Sequence, residues 1–376
     1  PPTQQELLSD YPDTLPPLPG RAADYDPSQY RWGFADQTGR LLISDAYDEV
    51  RAFSQDRAVV RRNGRWSFID RRGLQVGKQD YAGAWTFHDG RARVRDDNDK
   101  LGFINRNGDY VIAANWEEAG DFFGGLAKVG RDGLYGLLDT TGKLVVPPVY
   151  EKLSATDRPG LFTVQANGRT GTIDGTGRVL LPPEFEALRP PGTEGLIRYR
   201  QGGKWGFVDS LGKVVVAARF EQAADFSDGR APVQVGEQWK LIDRRGKIVS
   251  RLAYDQLVPA GLPGKFVAET AGKYGLIDQD ERVIVPLRLD ELHPFTDGLA
   301  AYRVDDGWGF LRPDGSLLTD PVYPLVWPFV NGRARVIDDR VMVYIDTTGR
   351  MLYPGRYLDM RDYQEDLAPV QVYRPE

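Results

Sequence analysis

KWGFVDSLGKVVV, residues 204–216, opens on an aromatic–glycine pair, followed by an aspartate, a glycine and a lysine. Met once, the phrase offers Asp209 as a functional carboxylate. The chain writes it ten times. The position of Trp205 recurs as Trp32, Trp66, Leu101, Tyr135, Thr170, Trp239, Tyr274, Trp308 and Met342, always 34 or 35 residues from the next. A fixed period of this length without long insertions is the mark of a repeat architecture, in which each unit needs its neighbours to bury a core. Residues 31–376 therefore read as one array of ten units. Residues 1–30 read as a proline-rich arm or linker, with six prolines in the first twenty positions.

Counting from each anchor exposes the other fixed points. Glycine follows at +1 in seven units, and aspartate stands at +4 in eight, with Asn105 and Arg312 as exceptions. Glycine stands at +7 in nine, and Glu281 is the exception. Rings recur at +15 (Tyr47, Trp116, Tyr150, Phe220, Tyr323) and at +21 (Phe53, Phe122, Phe226, Phe295, Phe329). A phrase close to Ala-x-Val returns near +26.

LAKVG (126–130), LYGLLD (134–139) and KLVVPP (143–148) are short β-rich runs separated by glycine-bearing breaks. Aspartate and glycine three apart fit a hairpin whose carboxylate caps the turn and whose glycine supplies positive φ. On this reading Asp209 serves its own turn. Pro147-Pro148 and Pro182-Pro183 are expected to stop the strand that they close. The rings at the anchor, +15 and +21 are expected to form the core, with the +1 glycine leaving room for close approach.

These phrases resemble the WG β-repeat family, whose pattern appears most fully as LYGLLDTTGKLVVPPVYE (134–151). The resemblance spans nearly everything after residue 30. It weakens at Ser67, Lys240, Thr170 and Met342-Val343. It implies a bacterial repeat protein and brings no catalytic residues. The order of strands is also similar to that of small β-propeller blades. The first anchor strand, RWGF, and the last strand, LAPVQVY, are suited to pair with each other. A propeller-like closed ring is therefore expected in preference to an open β-superhelix.

The remaining chemistry is sparse. A net charge of −6 and a pI near 5.3 argue against nucleic acid as partner. The absence of cysteine removes disulfides and thiolate chemistry. No apolar run reaches membrane-spanning length. His88 and His293 sit at different unit positions, and no phosphate loop or serine elbow is present. RDDNDK (95–100) alternates Asp97 and Asp99 but lacks the glycine and glutamate of a calcium loop. No catalytic residue, metal or cofactor is expected.

The most varied position is +19. It holds Trp85, Trp327, Arg51, Arg189, His293 and Arg361, residue types common in binding hot spots. The expectation is an outward face that binds a protein or peptide. A glycan stacked on exposed tryptophan is the alternative, and an enzyme with a composite central-channel site stands behind both. The proline-rich lead-in favours a periplasmic or secreted setting over a cytoplasmic one.

Overall fold

A computed structural model describes residues 30–338, 341–352, 357 and 359–373. The arm assigned to residues 1–30 lies outside them, apart from Tyr30. The chain divides into two compact units. One comprises residues 154–329 with 347–349. The other comprises the described residues of 9–153, 330–346 and 350–376.

Both units are built from small antiparallel sheets, ten among the described residues, and seven of these have four strands. One repeat period supplies one sheet, but the sheet does not begin at the anchor. In one sheet the strands are Glu118–Ala119, Leu126–Arg131, Leu134–Asp139 and Leu144–Tyr150, and they lie side by side in chain order. The anchor strand is third. The first strand is only two residues long and pairs through Glu118↔Gly130 and Ala119↔Val129. Such up-and-down four-stranded sheets are blades of the propeller type. One sheet joins the two ends of the described chain: Tyr30–Ala35 pairs antiparallel with Ala368–Tyr373 from Tyr30↔Tyr373 to Ala35↔Ala368.

The turn reading is realised atom by atom. Asp209 accepts from the backbone N–H of Leu211 and of Lys213, both at 2.9 Å, and Gly212 takes φ of +84°. Asp36, Asp70, Asp139, Asp174, Asp243 and Asp278 repeat the same two bonds, and Asn105 does so with its amide oxygen. Glu281, at the position where glycine is missing, adopts φ of +62°. Its carboxylate accepts from the N–H of Arg251 and Leu252 and from the Tyr254 hydroxyl, bonds that offset the cost of a left-handed non-glycine residue.

The +1 glycine answers to backbone, not to a ring. A Cβ on Gly206 would stand 2.5 Å from the Val216 carbonyl oxygen and 2.7 Å from the Ala218 nitrogen. Trp205 pairs with Phe220 and Phe207 with Val216, so the fourth strand bulges directly over the glycine. In the sheet of Gly136 the corresponding bulge, between Val146 and Tyr150, holds a proline pair. Pro147 and Pro148 lie inside Leu144–Tyr150 and do not end it, because a fourth strand is an edge where a missing donor costs little.

The core also differs from expectation. Among the deepest rings are those at +2 and +21, which meet edge-to-face across neighbouring sheets: Phe34–Phe53, Phe68–Phe87, Phe103–Phe122, Phe207–Phe226 and Phe310–Phe329, with centroids 4.8–5.2 Å apart. Anchor rings Trp66, Trp205, Trp239 and Trp308 are only partly buried against this layer, whereas Trp32 is buried.

Candidate binding edge

The first strand of each sheet is an unpaired edge on one side, so its outward carbonyls need donors from elsewhere. In three sheets an arginine of the preceding sheet supplies one. Arg93 donates to the Ala119 carbonyl, Arg198 to Ala223 and Arg335 to Met360. Each acceptor is the +18 residue of its repeat. Two residues later, at +20, stands an aspartate that pairs with the same arginine: Arg93–Asp121 at 3.2 Å, Arg198–Asp225 at 2.7 Å and Arg335–Asp362 at 2.9 Å. These clamps are substantially buried, with Arg198 and Asp225 side chains 13% and 17% exposed. Asp occupies +20 only in these three repeats, and each time the facing strand carries arginine.

A fourth carbonyl of this kind, that of Val50, is met differently. Its donor is Arg361 at 2.8 Å, itself a +19 residue, whose guanidinium lies 4.3 Å from the centroid of the Trp32 ring. Position +20 here is Ala52, so no carboxylate completes the clamp. Arg51 follows Val50. Its guanidinium sits between the rings of Trp66 and Trp85, 5.2 and 5.8 Å from their centroids. Arg93 covers Trp85 at 4.0 Å. Burial lowers the pKa of the Arg51 guanidinium, Glu49 and Asp121 raise it, and Arg361 lowers it again. The edge of this unit is thus an alternation of arginine and indole, each cation held on a ring face.

The six +19 candidates do not share one surface character. Arg51, Trp85, His293 and Arg361 are partly buried, and Arg189 is exposed. Trp327 is 2% exposed, which corrects its placement on an outward face. Tryptophan appears at +19 in the two repeats whose following anchors are aliphatic, Leu101 and Met342. Trp85 packs against the cluster containing Leu101 and so supplies the ring that this anchor lacks. His293 repeats the stacking with its own following anchor: its ring lies 5.0 Å from Trp308, and it shares a 2.8 Å contact with Glu291. Glu291, bonded to His293 and Arg303, has its pKa lowered. Arg51, Trp85 and Arg361 belong to one compact unit, and Arg189, His293 and Trp327 to the other.

The carboxylates of RDDNDK are engaged in and around their hairpin. Asp96 accepts from the N–H of Asn98 and Lys100, Asp97 pairs with Arg65 at 2.5 Å, and Asp99 pairs with Arg95 at 3.1 Å. Among the described residues no three potential metal ligands cluster, and no helix is long and apolar enough to cross a membrane.

The sequence reading missed Arg93, Asp121, Arg198 and Asp225. A signal for them existed in the joint occurrence of Arg in the second strand and Asp at +20 of the next repeat.

Blade-like sheets repeated at a 34–35-residue period define an all-β repeat protein of propeller type. The profile of the WG-containing repeat matches residues 32–66, 102–135, 135–169, 171–205, 205–239, 274–308, 308–339 and 344–373, well over half the chain, and the protein belongs to that family. No curated protein sequence matches it. Among solved structures, one described as the eukaryotic initiation factor aligns at TM-score 0.53 with 10% identity, over 86% of this chain and 99% of that one. BamB from Moraxella catarrhalis aligns at TM-score 0.34 and 13% identity, over 86% and 96%. The Pan2 WD40 domain of Neurospora crassa aligns at TM-score 0.30 and 11% identity, over 60% and 90%. The first of these likenesses is one of fold alone.

Proposed function

We propose that the protein is a non-enzymatic scaffold that binds a protein or peptide along the first-strand edge bearing the +19 residues. The observation that carries this is the half-buried Arg51 between Trp66 and Trp85, a cation on aromatic faces with no acid bonded to it. Arginine and tryptophan in partly desolvated settings dominate binding energy at protein interfaces. Trp85, Arg51 and Arg361 are the central candidates; Arg189 and His293 belong to the other compact unit and are not counted in this site. The glycan alternative loses its platform, since Trp327 is buried and one face of Trp85 is taken by Arg93. A periplasmic or secreted setting remains the companion reading, supported by the proline-rich segment 1–20; fractionation of the native host tests it.

The binding test is affinity capture from the native host, followed by repurification of the captured protein and titration against wild type, Arg51→Gln and Trp85→Ala. A loss of affinity in variants that keep their melting temperature supports the scaffold. Equal affinity for all three chains, or no specific partner, sinks this edge as the site.

A further inference from the structure

Arg51 and Arg361 stand out because the fold neutralises their counterparts and leaves these two open. Arg93, Arg198 and Arg335 each receive an aspartate from the next repeat. Arg61, which also faces Trp66, pairs with Glu49 at 3.5 Å. Arg361 receives only the Val50 carbonyl and the Trp32 face, and Arg51 donates no hydrogen bond to any described residue. The acids nearest Arg51 are Glu49 and Asp121, and both are already held, by Arg61 and by Arg93. Both half-buried guanidiniums lose hydration and repel each other, and Glu49 and Asp121 attract Arg51 without forming an ion pair with it, so the compensation is partial. One carboxylate between them would relieve both terms.

We propose that Arg51 and Arg361 form a carboxylate socket that takes an aspartate or glutamate side chain of a peptide. The inference rests on the binding reading above and specifies its chemistry. A guanidinium fixed on a ring face is pre-oriented for a planar, bidentate acceptor. The position is bounded: Ala52 occupies the +20 place where the three closed clamps carry Asp121, Asp225 and Asp362, so the peptide acid stands in for the missing residue. Glu49 and Asp121 border the socket and disfavour a polyanion, as does the net charge of −6, which selects a single acid in an otherwise uncharged segment.

The test uses the full chain, immobilised, to select peptides from a random displayed library. Selected peptides are titrated calorimetrically against wild type, Arg51→Gln, Arg361→Gln and Ala52→Asp, with melting temperatures measured alongside. The selected peptides are expected to carry one acidic residue in a shared position. Replacing that acid by its amide should weaken binding roughly tenfold or more, as should each arginine variant. Ala52→Asp should cause the same loss with an unchanged or raised melting temperature, which separates an occupied socket from a damaged fold. Peptides that bind without an acid, or whose affinity survives Ala52→Asp, overturn the socket while leaving the scaffold intact. Displacement by inorganic phosphate as readily as by acetate also overturns it. A selection that yields no binding peptide overturns the scaffold and the socket together.

Discussion

Arg198 and Arg51 both bring a guanidinium to the first-strand edge of a sheet, and their surroundings are opposite. Arg198 is closed on three sides: two oxygens of Asp225 at 2.7 and 3.2 Å and the Ala223 carbonyl at 2.9 Å. Arg51 has ring faces and no acceptor. The first arrangement ties one sheet to the next. The second leaves the guanidinium without a hydrogen-bond acceptor among the described residues. The same residue type in the same period therefore ties sheets together where a +20 aspartate faces it, and rests on aromatic faces where alanine stands there.

The largest expected effect breaks the closed case. Arg198→Met leaves Asp225 desolvated and unpaired, and chemical denaturation should show a loss of about 2–4 kcal/mol. Arg51→Gln breaks no ion pair, and its loss should stay below about 1 kcal/mol, the scale of a cation–π contact. A larger loss would show that Arg51 is structural after all. Between these two lies overpacking: Gly206→Ala drives a Cβ into the Val216 carbonyl and should cost about 1–3 kcal/mol in the same assay. A double-mutant cycle sharpens the comparison further. Coupling across Arg198 and Asp225 should be favourable, and coupling across Arg51 and Arg361 should have the opposite sign.

The smallest effect concerns the turns. Asp36, Asp139 and Asp174 have pKa values lowered first by their bonds to Thr38, Thr141 and Thr176, then by backbone donors in the same turns. A depressed folded-state pKa contributes stability that is complete above the unfolded value of about 3.9 and is lost as pH falls through the folded one. Thermal melts of wild type should decline with acid in that window, and Asp139→Asn should shallow the decline slightly. A decline confined to higher pH would point away from these turns.

Much of this protein was legible along the chain. The hairpins follow from local rules, because an Asx turn is decided within a few residues, and the terminal strand pairing follows from the repeat phase at the two ends. The positions that bear on recognition were legible only in part. Trp85 and Trp327 share a repeat position and a residue type, yet Trp85 is half-buried beneath Arg93 and Trp327 is fully buried. The anchor rings, the most conspicuous feature of the phrase, proved shallower than the plainer phenylalanines two residues later.

KWGFVDSLGKVVV by itself determined a hairpin, a turn aspartate and a close approach at glycine, since each needs only neighbouring backbone. The tertiary structure alone decided which arginines are neutralised. That depends on the residue 27 or 28 positions before a carboxylate reaching it across two sheets, and nothing local to either residue fixes the outcome.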